Sequence, residues 1–242
     1  MRRALAAAFA FLTRIPVSSG SFEPHELARS LTWFPIVGAA LGAAGLVAGH
    51  LLRIAFSPAM TAVMLVAILA GLTGGLHLDG VADVFDALGG GRGQRERMLE
   101  ILRDSRIGAH GAAALVLLVL AKVVATASVV DRHAWALYAA PIAARWAVVP
   151  LVVVFPYARP EGLGKPFHGH AGPAQLFGAT ALAALAIGWL GPCATAPALV
   201  ALLTALVIAI WLHRHLGGLT GDVYGAAIEL AELAFLVVAG RP

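Results

Sequence analysis

Asp79, Asp83 and Asp86 are spaced by four and then three residues, which puts their carboxylates on one face of a helix over two turns. Stacked in that way they repel one another unless cations lie between them. Oxygen ligands select hard ions such as Mg²⁺ as the expected cofactor. The chain holds six Asp, and a fourth, Asp104, follows in the same polar stretch. Asp104-Ser105-Arg106-Ile107-Gly108 stands where an apolar run begins. Two readings of it are open. Asp104 adds a metal oxygen or a catalytic base while Arg106 grips a phosphate with its planar fork, or Asp104 or Ser105 caps the helix that follows.

A second polar island occupies residues 213–222. Gly217-Gly218-Leu219-Thr220-Gly221-Asp222 repeats the two glycines, the leucine and the aspartate of Gly74-Gly75-Leu76-His77-Leu78-Asp79 without a gap. Glycine permits a tight turn or the approach of a phosphate to the backbone, and Gly217, Gly218 and Thr220 are expected to bind substrate. Asp222 and Glu229, seven residues apart, share a helix face. The expected metal set is therefore Asp79, Asp83, Asp86, Asp104, Asp222 and Glu229, with Asp83, Asp104 and Asp222 as the catalytic carboxylates. If the two islands form one site, Asp79, Asp83 and Asp86 lie near Asp222.

Lys122, Arg145, Glu229 and Glu232 fall inside apolar runs, where an ionisable group needs a partner or a wet cavity. Either Arg145 pairs with Glu229 structurally, or Lys122 and Arg145 neutralise a substrate phosphate. His77 and His110 are placed with the substrate. His77 stands two residues before Asp79, and at about 100° per residue on a helix it is off the carboxylate face. His168-Gly169-His170 reads as an exposed loop, and Glu96, Glu100 and Arg95 as a solvated face.

The elements that hold these residues follow from composition. Hydrophobic residues make up 60% of the chain and charged ones 12%, against roughly a quarter charged in soluble domains; mean hydropathy is +0.86. This describes an all-α polytopic integral membrane protein, one membrane-embedded domain over 1–242. Seven spans are expected near 33–52, 58–76, 108–130, 134–156, 174–190, 195–212 and 223–239. Residues 4–15 form an N-terminal interfacial helix, Gly89-Gly90-Gly91 break a helix, and 92–106 form another. With the N-terminus inside, most Arg and Lys fall in the cytoplasm. That places the catalytic segments 77–108 and 213–222 on the cytoplasmic face of the membrane. The positive charge is explained by this bias and not by nucleic acid. Membrane lipid is the expected surroundings, and a homo-oligomer is compatible with the sequence. Cys193 stands alone, so neither an intrachain disulfide nor a thiolate metal cluster can form.

Phe11-Leu12-Thr13-Arg14-Ile15-Pro16, the Gly74–Asp83 stretch, Asp104–Gly108 and Gly217–Asp222 occur in this order. Together they resemble the cobalamin synthase family, the adenosylcobinamide-GDP ribazoletransferases. The resemblance implies Mg²⁺-dependent transfer of the phosphocobinamide portion of adenosylcobinamide-GDP to a ribose hydroxyl of α-ribazole or α-ribazole 5′-phosphate, with GMP leaving. A pyrophosphate attacked by a hydroxyl calls for divalent cations and a proton-accepting carboxylate, which is what the acidic islands offer. The rival class is a secondary transporter, favoured by intramembrane Lys122, Arg145 and Glu229 and by glycine-interrupted spans. Against it, the acids cluster at span ends.

Overall fold

The computed structural model describes residues 1–17, 21–162 and 164–241, and among them the chain is helical with no strand longer than an isolated bridge. Two short helices, α1 (Arg2–Leu12) and α2 (Pro24–Ser30), open the chain. The buried face of α1 is built from Ala4, Ala7, Ala8 and Leu12, a spacing of three and four that makes it amphipathic, as expected for an interfacial helix.

α3 (Phe34–Arg53) carries Gly38, Gly42, Gly45 and Gly49 along one face. A methyl group added at Gly38 or Gly42 would strike the backbone of Tyr138, Pro141 and Ile142 on α8 (Trp135–Ala147). Lipid tails are as apolar as leucine, so such close packing is what draws membrane helices together. α9 (Val149–Val154) continues α8 after a break at Val148, with Pro150 at its start.

α4 (Pro58–Thr73) ends at Gly74, and α5 (Leu76–Gly91) leaves it at an angle of 92°. Gly74 and Gly75 make this corner with φ of 65° and 70°, a region that side chains with a Cβ avoid. A right-angle turn takes α5 off the span direction. α6 (Arg95–Ile101) is short, and α7 (Ala109–Val129), α10 (Pro173–Ile187), α11 (Pro192–Leu216) and α12 (Gly221–Ala239) complete the bundle.

Helices stand at all seven expected spans, but five of the described helical stretches are long and apolar enough to cross a membrane. α4 falls short at 16 residues. α12 carries Asp222, Glu229 and Glu232, and most of its residues are buried, so it is the central post of the bundle. The triple glycine does not break α5. Gly89 receives the ring of His110 and Gly91 the side chain of Met98, and the helix runs on until Arg92, with φ of 49°, ends it. The helix expected over 92–106 shrinks to α6, whose Arg95 donates from Nε to the carbonyl of Leu216 at 2.8 Å. Arg95 thus caps the C-terminus of α11, where a cation suits the helix dipole, and is not a purely solvated side chain.

Candidate active site

α5 and α12 cross with their first turns in contact and their directions opposed. A Cβ on Gly80 would lie 2.6 Å from the carbonyl oxygen of Asp222, and one on Gly225 3.2 Å from the Cα of His77. Glycine at both positions lets the two backbones touch. The consequence is that the two polar islands meet: Asp83 is surrounded by the like charges of Asp222 and Asp79. Partial burial first, and then those two carboxylates, push the Asp83 carboxyl up to about 7, with Arg159 opposing.

Asp222 is held in place from two sides. The hydroxyl of Thr220 donates to its Oδ2 at 3.1 Å, and Nη2 of Arg159 donates to the same oxygen at 3.0 Å. Arg159 also donates to the carbonyl of Leu102 at 2.9 Å, while its buried Nε has no partner among the described residues. An unpaired guanidinium N–H beside an acidic cluster is a donor in reserve for an anionic ligand. The segment that carries Arg159 is tied to the second island: Ala158 N donates to Leu219 O and Leu219 N to Pro156 O, each at 2.8 Å.

A cavity of about 350 Å³ opens at this crossing. Asp79, Asp222, Arg159, Arg103 and Tyr157 supply its polar lining, and Phe11, Phe34 and Phe167 its apolar wall. The three phenylalanine rings form one cluster, with Phe11 edge-on to Phe167 at 4.9 Å and Phe34 edge-on to Phe167 at 6.2 Å. His77 borders the cavity at 3% exposure, with neither ring nitrogen hydrogen-bonded. A second, more open groove of about 610 Å³ shares Asp79, Phe11 and Leu76 and is edged by Arg14, whose side chain lies over Gly74. Asp79 therefore stands between two compartments.

The model of the family described as cobalamin-5-phosphate synthase matches residues 4–240. The chain belongs to this family. It is 42% identical to the adenosylcobinamide-GDP ribazoletransferase of Geotalea daltonii, over 98% of this chain and 96% of that one. The Ectopseudomonas mendocina protein of the same name is 41% identical over 95% of each chain. That of Herpetosiphon aurantiacus is 40% identical over 98% of this chain and 96% of its own. No solved structure matches.

For this member of the cobalamin-5-phosphate synthase family, several site expectations need correction. Asp86 does not share the acidic site's open space. Its carboxylate is buried and accepts from Gly108 N at 2.6 Å and Gly111 N at 2.8 Å. It caps α7 from across the bundle, so neither Asp104 nor Ser105 is the cap; the N-cap residue is Gly108. Asp104 pairs with Arg106 at 2.7 Å on the surface, and that guanidinium holds the Asp104 carboxyl down at about 2. Neither residue borders the cavity, and His110 is exposed beside them on a shallow surface depression.

Lys122, Arg145 and Glu229 are buried and close on one another, with Oε1 of Glu229 also 3.9 Å from Nδ1 of His77. Nζ of Lys122 reaches Glu229 at 2.5 Å and Glu232 at 2.9 Å, and Arg145 pairs with Glu232 and not with Glu229. Two bases and two acids leave no net charge to neutralise a phosphate or hold a cation, and this closure removes the main argument for a transporter. Gly217 and Gly218 serve the backbone: Gly217 ends α11 with φ of 71°, and Gly218 lies against Pro156 and Ala158. Thr220 is the N-cap of α12 as well as the donor to Asp222. His168 points inward, its Nε2 2.9 Å from the hydroxyl of Tyr224. Arg159 and Tyr157 were not foreseen as site residues; their place in a polar loop beside the second island was the available signal.

Proposed function

We propose that this protein transfers the phosphocobinamide group of adenosylcobinamide-GDP to a ribose hydroxyl of α-ribazole or its 5′-phosphate, releasing GMP. The observation that carries the reading is the meeting of Asp79 and Asp222 with Arg159 in the lining of one cavity, with Asp83 within reach of all three charges. The matching relatives bear the name of that transfer.

In the step, the ribose oxygen forms a bond to the phosphorus that carries cobinamide, the bond from that phosphorus to the GMP oxygen breaks, and the hydroxyl proton leaves. Asp222 suits the proton acceptor. It lines the cavity, and Thr220 and Arg159 fix the carboxylate's orientation, as an effective general base requires. Arg159 lines the cavity with a buried Nε–H that has no partner among the described residues, a preorganised donor suited to the charge that grows on the leaving phosphate.

Asp79 and Asp83 are the residues that would hold Mg²⁺. Among the described residues no three His, Cys, Asp or Glu side chains are already gathered as a metal cage. Mg²⁺ is commonly bound by one or two carboxylates, with water and substrate phosphates filling the remaining positions, and two mutually repelling carboxylates fit that role. When bound, the ion offsets negative charge on the pyrophosphate oxygens and the leaving group.

The protein purified in detergent is expected to release GMP from adenosylcobinamide-GDP only when both Mg²⁺ and α-ribazole are present. Asp83→Ala should lower turnover by about 10²-fold or more. Undiminished turnover by Asp83→Ala would remove the metal assignment, and GMP release without acceptor would remove the transfer. The acidic crossing is read as facing the cytoplasm of a bacterial inner membrane, since the Arg-rich loops gather at that end.

A further inference from the structure

We infer that the 350 Å³ cavity is the acceptor's site and that its phenylalanine wall takes a benzimidazole-type base, the donor being confined to the open groove across Asp79. The inference rests on the transfer proposed above and goes on to assign each substrate a compartment.

Size separates the two substrates first. A cavity of this volume falls in the range of about 300–1,000 Å³ that encloses a drug-sized ligand. A corrin macrocycle bearing an adenosyl group and a nucleotide exceeds it. The groove edged by Arg14 is larger and open to the outside, and it reaches the same carboxylate, Asp79.

Chemistry then selects the part of the acceptor that enters. Phe11 offers its partly exposed ring, held by the enclosed Phe34 and Phe167 and by Leu12 and Leu31, and none of these side chains carries a hydrogen-bonding atom. A guanine placed there would bury several donors and acceptors without partners, each at a cost. A benzimidazole linked to ribose through nitrogen keeps one acceptor nitrogen and an otherwise apolar outline, and its face suits the edge-on and stacked geometry of aromatic packing.

The ribose must then reach polar groups, and the cavity supplies them. Arg159, Arg103 and Tyr157 line it, and His77 borders it with enclosed ring nitrogens, Nδ1 lying 3.9 Å from Oε1 of Glu229. Asp222 and Asp79 lie in the same lining. An acceptor with its base on the phenylalanine wall thereby brings its ribose to the carboxylates that face the donor.

The test measures KM separately for α-ribazole and adenosylcobinamide-GDP, following GMP release by the protein in detergent with Mg²⁺. Phe167→Leu, which trims the wall, and Val152→Phe, which fills the cavity, are each expected to raise the acceptor KM about tenfold with the donor KM within twofold of the unsubstituted protein. Retained donor KM also reports that the variant is folded. In the unsubstituted protein, guanosine should neither serve as acceptor nor compete with α-ribazole, whereas 5,6-dimethylbenzimidazole alone should compete. An unchanged acceptor KM in both variants, a donor KM that rises instead, or competition by guanosine overturns the assignment while the transfer reaction stands. Absence of any transfer by the unsubstituted protein overturns both.

Discussion

At the residue scale, the acidic patch divides into carboxylates with quite different work. Asp222 touches the cavity and is oriented by Thr220 and Arg159, whereas Asp104 is tied to Arg106 in solvent and Asp86 holds backbone N–H groups of α7. Asp222→Asn should reduce kcat by about 10²–10⁴-fold, the range for a lost general base. Asp104→Ala should leave kcat within about twofold and the melting temperature nearly unchanged, since an exposed pair contributes little. Steady-state assays and thermal melts on the two variants check both. Sequence spacing placed Asp79, Asp83 and Asp86 on one helix face correctly. It gave no sign that the amides of Gly108 and Gly111 would claim the third of them, because that contact depends on how α7 meets α5. His168 carries a pH dependence. Burial first, then the charge of Lys165, lowers its pKa below the usual 6.5, and Tyr224 donates well only to the uncharged ring. The folded chain thus prefers the neutral form. Its contribution is full above about pH 6.5 and is lost as pH falls toward and through the lowered folded value. The protection factors of residues 164–170, corrected for the slower intrinsic exchange at lower pH, should fall between pH 7 and pH 5, and His168→Asn should abolish that fall.

At the scale of elements, the site is made by a crossing and not by a single helix. α5 and α12 each begin just after a glycine-containing corner, and Gly80 and Gly225 let their first turns touch. The repeat of two glycines, a leucine and an aspartate in the sequence marks both corners, which is why the meeting of the islands was legible before any coordinates. The glycines' roles were less so. Gly74 and Gly217 share a left-handed backbone, but Gly218 departs from Gly75, lying against Pro156 and Ala158 without a positive φ. Gly80→Ala forces a methyl group against the Asp222 backbone. Overpacking of this kind costs about 1–3 kcal/mol, and the forced separation of Asp83 from Asp222 should lower kcat by more than the melting shift alone implies. Thermal melts beside kcat for Gly80→Ala and Gly71→Ala check it, since a methyl group at Gly71 meets nothing within 4 Å.

At the scale of the molecule, composition and apolar run length were enough to give an all-α membrane bundle. Of the seven expected spans, α4 and α12 do not pass on length and apolarity alone, because α4 is short and turns at Gly74 and α12 is charged where it is most enclosed. The single cysteine tests the orientation. Cys193 is exposed at the start of α11, and the second polar island follows that helix's other end, 25 residues later. At about 1.5 Å per residue the helix exceeds the hydrocarbon core of about 30 Å. A membrane-impermeant maleimide should therefore label Cys193 in intact cells whose outer membrane has been made permeable, and should label Cys193→Ser not at all. Labelling only after the inner membrane is breached would put the acidic crossing on the opposite face.

The buried quartet of Lys122, Arg145, Glu229 and Glu232 also bears on how the chain is assembled. A helix with two acids near its middle partitions poorly into lipid alone. In this chain the acids are on the last helix, and their bases, on α7 and α8, have already left the ribosome when α12 emerges. Chain order thus delivers the counter-charges before the charges that need them, so that α12 can be received by a prepared cleft and need not enter bare hydrocarbon.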